Sequence, residues 1–497
     1  MSGGLARGFL EDIVAHIDDD TPRLVYADWL MEHGHDERAE FIRVQVERAR
    51  LPSWDAAQVR LRLREQALLR QHGEAWLAEL PEVEGAKWEG FRRGIVAEVS
   101  FKSYEAMRAN AHACRAVAPV EAVTVRWPRQ REVEEAGTPV AELRELSLTG
   151  TPGGEEDVGR LADSPQLSTL RVLTARGLWA DALTVLVASP LLAGLRALRL
   201  PSNNLGNDGL RALVAAASLT ALEELDLSGL GRYERYNHDP IIRAAGMGAL
   251  MGWTGLARVR SLNLTGNDVS RDGLRTLLRS PHAAALKELS LRDGRLDGKA
   301  MVEFHSALPE LQLESLDLGE NMLKQLGVDH LAAAPCLSEV KALRLDRCEI
   351  PLAGARRLAK ADFVSDLRLL DVGHNHFGPV GLAALLEREP PLHTLRMRDN
   401  DLFDKGAALL AESPASNALL EVDLSQNGLG AAAALALGQS AHLRGLLVMH
   451  LSDNSISEPA AATLAASPLG QRLAVLESEN VPAAPKPPPD GENEIPF

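Results

Sequence analysis

One short phrase constrains this chain more than any other feature. It reads LRALRLPSNNL at Leu195–Leu205 and returns as LESLDLGENML at Leu313–Leu323. Thirteen copies begin at Leu143, Leu170, Leu195, Leu222, Val259, Leu286, Leu313, Val340, Leu367, Leu392, Leu419, Leu446 and Leu473. Most start 27 residues after the one before. Weaker copies at Val96–Phe101 and Val120–Val125 extend the series to fifteen strand positions. A unit of this length, iterated, cannot bury its apolar face alone and must stack on its neighbours.

The phrase has a physical reading. Apolar residues hold positions 1, 4, 6 and 11, so Leu198 and Leu200 point to one face of a strand and Arg199 to the other. Position 9 is Asn at 203, 267, 321, 375, 400, 427 and 454, and Cys348 and Gly294 replace it once each. A buried Asn carries two donors and an acceptor, enough to satisfy turn backbone of its own and the neighbouring copy. Six residues on comes Gly or Ala, as at Gly209, Gly327 and Gly381, where a small residue is expected to let a helix lie close to the strand layer. Helical spacing follows. Ser-Pro pairs such as Ser189-Pro190 and Ser413-Pro414 are expected to end it.

These residues resemble the leucine-rich repeat family, in the longer strand–helix form of ribonuclease inhibitor and the Ran GTPase-activating protein. The resemblance covers about residues 95–480. It implies an α/β fold: a right-handed, horseshoe-shaped solenoid with a parallel sheet on the concave side, helices on the convex side and the concave wall left free. Residues 1–94 stand apart. Their text DDTPRLVYADWLMEHGHDERAEFIRVQ resembles the bacterial repeat-companion domain, a module found in front of repeat arrays. It reads as an α-helical cap, with Thr21 as N-cap, Gly34 as a helix stop, a longer helix over 55–80, and core bulk from Trp29, Trp54, Trp76 and Trp88. The expected domains are therefore 1–94, 95–480 and a proline-rich tail over 481–497.

Charge and cysteine usage narrow the function. The net charge of −16 repels phosphate backbones, so nucleic acid is not an expected general partner. Cys114, Cys336 and Cys348 form no CxxC or paired framework, which points to a reducing compartment. With no signal-like N-terminus and no long apolar run, the expectation is a cytoplasmic monomer with no membrane partner. The catalytic screens return nothing: no GxSxG, Walker loop, HExxH or kinase phrase. His16, Asp18, Asp19, Asp20, Asp28, His33, His35 and Asp36 lack metal-ligand spacing and read as helix-end charges. No enzyme activity, cofactor or metal is expected.

What remains is the open face of the sheet. Position 5 projects there once per copy and reads Arg199, Asp226, Asn263, Ser290, Asp317, Arg344, Asp371, Arg396, Asp423 and His450 from the third copy on. In the last copies the charges alternate, which avoids like-charge repulsion across strands and offers a polar groove. One interval, Leu222 to Val259, carries about ten extra residues. They include GRYERYNHDP at 231–240, whose Tyr233, Arg235 and Tyr236 are candidate anchors on one rim. The expected function is a scaffold that binds a protein or peptide through these residues. The alternative, by analogy with the Ran GTPase-activating protein, is regulation of a small GTPase.

Overall fold

The computed structural model describes residues 2–128, 143–164, 168–203, 205–229 and 241–478. It divides into two compact units. The first comprises Met1–Leu51 and Leu61–Asn263, the second Pro52–Arg60 and Leu264–Phe497.

The first unit opens with helices α1 (Ser2–Ala15), α2 (Thr21–Glu32) and α3 (Asp36–Arg50), then α4 (Ala57–Ala78). Ile13, Ala27, Leu30, Ala39, Ile42 and Val46 form one buried core, and Phe41, Leu68 and Trp76 a second. Of the four tryptophans expected in this core, only Trp76 is buried; Trp29, Trp54 and Trp88 keep part of their surface in solvent. Helix α2 starts one residue earlier than a Thr21 cap requires. The N-cap is Asp20, whose side chain makes no capping bond; Asp19, before it, accepts from both the amide and the hydroxyl of Thr21 at 2.8 Å. Those hydrogen bonds hold the Asp19 carboxyl below its ordinary pKa. Gly34, at φ +79°, follows the helix end, and its N–H donates to the Met31 carbonyl.

A hairpin absent from the expected helical reading then begins the sheet. Strands β1 (Ala86–Arg92) and β2 (Ile95–Phe101) pair antiparallel. Arg93 and Gly94 turn between them at φ +47° and +81°, the positive pair that a two-residue hairpin needs. A Cβ on Gly94 would fall 2.2 Å from the Ile42 Cα, so the turn is pressed onto α3. Helix α5 (Tyr104–Arg115) leads to β3 (Ala122–Arg126). Arg23 of α2, fully buried, reaches Glu121 beside β3 at 2.6 Å and the Ile17 and Asp19 carbonyls at 3.0 Å. From β2 on, the strands pair in parallel and in chain order: β4 (Glu145–Thr149), β5 (Val172–Ala175), β6 (Ala197–Arg199), β7 (Glu224–Asp226) and β8 (Ser261–Asn263).

The second unit repeats the plan, with β9 (Glu288–Ser290), β10 (Ser315–Asp317), β11 (Ala342–Arg344), β12 (Leu369–Asp371), β13 (Thr394–Arg396), β14 (Glu421–Asp423), β15 (Val448–His450) and β16 (Val475–Glu477) parallel and in chain order. All fifteen expected strand positions are strands, and β1 is the addition. Positions 4 and 6 are buried in every copy but the last, as at Leu316 and Leu318; in the last, Leu476 and Ser478 are part-exposed. Each such leucine contributes ~1.5–3 kcal/mol on burial.

The Asn column holds successive copies together. Asn375 Oδ1 accepts from the amides of Cys348 and Ile350 in the preceding copy. Its Nδ2 donates to Leu345 O there and to Val372 O and Gly373 O in its own turn. Asn321, Asn427 and Asn454 repeat this pattern. The amides do not bond to one another; each clamps backbone. Cys348 keeps its place in the column by pointing its thiol at Leu318 O, 3.2 Å away.

Two expected roles change. A Cβ on Gly381 would meet Ala355 Cβ at 2.9 Å and Phe377 Cβ at 3.2 Å, and one on Gly327 would meet Leu323 Cβ at 2.8 Å and Gly298 Cα at 3.3 Å. The small residue thus makes room for the preceding helical segment and the position 11 side chain, rather than for the strand layer. The Ser-Pro pairs do more than end helices. Ser189, Ser280 and Ser413 each accept from the amide two residues on, which caps a 3-10 turn begun by the proline.

Candidate functional site on the open sheet face

Strand alternation sends positions 3, 5 and 7 to the same face, away from the helices. Position 5 alone therefore understates the site. In the first unit, Arg199 forms a bidentate pair with Glu224, a position 3 residue, at 2.6 and 2.9 Å. Arg92 of β1 bonds Glu98 and Glu145 on the same face, each at 2.6 Å. Asp226 spends Oδ1 on the amide of Ser228, and Asn263 follows on β8.

In the second unit the register sets Asp317 opposite Arg344, Arg344 opposite Asp371, Asp371 opposite Arg396, Arg396 opposite Asp423 and Asp423 opposite His450. The expected charge ladder is therefore present in register, but its closest bonds run elsewhere. Asp317, Asp371 and Asp423 each accept from the backbone amide two residues on, at 2.9, 3.1 and 2.9 Å. Arg396 takes Glu421 at 2.8 Å and reaches Asp371 only at 4.0 Å. His450 pairs with Glu477 at 2.7 Å. The Arg344 backbone accepts from Leu318 N at 2.9 Å, but its guanidinium has no hydrogen bond or ion pair among the described residues, although the charges of Asp317 and Asp371 both act on it. Burial pushes both of those carboxyls above the usual aspartate range, against the amides and arginines that favour the charge.

Position-5 reasoning missed the position 7 partners. Arg292 holds Asp346, two copies away, at 2.7 Å, and Glu320 at 2.9 Å. The shared parity of positions 3, 5 and 7 was the available signal. In the second unit His393, at the start of β13, hydrogen-bonds the Trp54 backbone, with Asp55 and Arg60 close by. Burial, then Arg368, lowers the His393 pKa, and Asp55 opposes them.

Tyr233, Arg235 and Tyr236 lie outside the described residues. The N-terminal acid and histidine cluster is dispersed into local pairs: His16 with Asp12 at 2.9 Å, Asp28 with Arg43 at 2.6 Å, Asp20 with Arg50 at 2.9 Å. Cys114, Cys336 and Cys348 are free thiols, and burial raises the pKa of each, to about 11 for Cys114 and about 12 for Cys336. Among the described residues no helix is long and apolar enough to cross a membrane.

No curated protein matches the chain. Three segments, 195–214, 259–278 and 365–386, match the family model described as Leucine Rich repeat. The first two begin at position 1 of a copy and run from strand into helix, and the third begins two residues before one. Matched segments and structure agree on the same strand–turn–helix unit, and the chain carries leucine-rich repeats.

Proposed function

We propose that this protein is a non-enzymatic interaction scaffold whose open sheet face binds a protein or peptide partner. Repeats of this kind commonly serve protein–protein interaction. The observation that carries the reading is Arg344. An arginine without an ion pair stands between two carboxylates that burial makes costly to ionise. Charge kept where it weakens the fold marks a surface used for something else. A partner group that bonds Arg344 and covers Asp317 and Asp371 would complete the set. Residues Arg199, Asp226 and Asn263 extend the surface in the first unit, and Arg396, Asp423 and His450 in the second. Tyr233, Arg235 and Tyr236 are proposed anchors on the insertion, and residues 1–94 are proposed to cap the array.

Capture from native lysate, quantified by mass spectrometry, tests the reading. The substitutions Arg344→Ala, Asp371→Ala and Arg396→Ala together should remove the proteins retained by the wild type. Retention of the same set would end the proposal. The same experiment with Tyr233→Ala, Arg235→Ala and Tyr236→Ala tests the insertion. Regulation of a small GTPase requires further that a captured GTPase hydrolyse GTP at a changed rate when the protein is added.

A further inference from the structure

An acidic chain places cations in one row. Position 2 of the phrase, just before the strand, is Arg144, Arg171 and Arg196 in three successive copies of the first unit. Backbone bonds set them side by side, with Arg171 N donating to Arg144 O and Arg196 N to Arg171 O, each at 2.8 Å. Strands so paired lie about 4.8 Å apart, and like charges directly opposite are destabilising. Acids at the two ends of the row give little relief. Glu121, next before Arg144, is held by Arg23. Asp18 approaches Arg144 only to 3.8 Å and is largely exposed. Glu223 stands beyond Arg196.

Against Arg144 and Arg171 of this row, though not Arg196, the first unit has a pocket of about 220 Å³. Arg115, at the end of α5, joins Arg144, Arg171, Ser168 and Thr169 around it, and Ile17 contributes to an apolar floor. Arg171 is steadied by long bonds to Leu170 O and Gly194 O at 3.2 and 3.3 Å. The Thr169 hydroxyl donates to Leu143 O.

We propose that this pocket binds a phosphate monoester group. Guanidinium forks match phosphate oxygens bidentately. A phosphate carrying between one and a half and two negative charges near neutral pH, about −1.5 to −2, offsets more than one cation of the row, which a carboxylate cannot. The volume lies below the ~300–1,000 Å³ of sites for whole drug-sized ligands. It suits a phosphoryl group and its first carbons, carried either by a small molecule or by a phosphorylated side chain. The acidic remainder of the chain repels phosphate, so binding is confined to this row.

The test uses the full chain and inorganic phosphate as probe, read by calorimetry and thermal melting. Phosphate should bind saturably and raise the melting temperature, where chloride at matched ionic strength does not. Arg144→Gln should melt at or above wild type without phosphate, since a repulsion is removed, and bind phosphate about tenfold more weakly. Arg115→Gln, on a separate element, should weaken binding likewise. Arg260→Gln, in the same sequence position beyond Glu223, should leave it unchanged. Glycerol phosphate and a phosphoserine peptide as further probes decide the source, which is the one that binds more tightly. A chloride response equal to that of phosphate, or equal losses in the Arg144 and Arg260 variants, would refute the site. Neither outcome depends on the open-face reading, which uses none of these residues.

Discussion

At the scale of single residues, the most exacting positions are polar and buried. Asn375 makes five hydrogen bonds to backbone of two copies. Asn375→Ala strands the amides of Cys348 and Ile350 away from water, and should cost about 2–4 kcal/mol in urea unfolding. An exposed polar change such as Gln325→Ala should cost almost nothing by the same measure. Asp317 and Asp371 should behave in the opposite way. Their folded pKa values are raised, so protonation favours the fold: their contribution is fully present below the unfolded value and is lost as pH rises through the folded value. Asp317→Asn and Asp371→Asn therefore should match or exceed wild-type melting temperature at pH 7. That advantage should vanish below the ordinary aspartate pKa of about 3.9. A melting temperature well below wild type at pH 7 would show that the charges support the fold, and would remove the main argument for the partner face.

Between elements, the tight contacts are those at helix starts. Gly381 lies in the first turn of a helix over Gly378–Leu386, and its added Cβ would meet Ala355 and Phe377 closer than ordinary van der Waals contact. Gly381→Val should cost about 1–3 kcal/mol by overpacking, as read by chemical unfolding. Gly248, with nothing within 4 Å of an added Cβ, is the matched control and should accept Ala without loss. The Arg23–Glu121 pair ties α2 to the approach of β3. Removing one partner of a buried pair leaves an uncompensated charge, so Glu121→Ala should cost about 3–5 kcal/mol. Arg23→Met with Glu121→Leu should recover most of it. A small effect of Glu121→Ala would mean that Arg23 is held well enough by the Ile17 and Asp19 carbonyls.

For the whole molecule, energetics should follow from neighbour contacts. Repeat stacks are approximately additive in unit and interface terms, so a lesion weakens what lies beside it first. Deletion of residues 1–94 removes β1, the Arg23 anchor and the Gly94 turn on α3. Hydrogen exchange should then show lost amide protection in β2–β4, a separate local loss at β13 where Trp54 no longer meets His393, and little change in β9–β11. Uniform loss across all strands would show one cooperative block instead.

The repeat phrase by itself determined the strand positions, the buried parity of positions 4 and 6, and the clamping role of the Asn column. Each is a local or nearest-neighbour property, and iteration makes it certain. Position 5 was readable for the same reason, since alternation follows from backbone geometry alone. Only the tertiary structure decided which charges meet. Arg292 reaches Asp346 across two copies, Arg396 chooses Glu421 over Asp371, and Arg23 crosses from α2 to Glu121. Long side chains choose among several acids within reach, and that choice depends on burial and register which no single copy contains. The hairpin at Arg93-Gly94 and the self-contact at His393 were hidden for a related reason. Each joins a repeat copy to a segment outside the repeat, and for that segment the sequence has no second copy to compare.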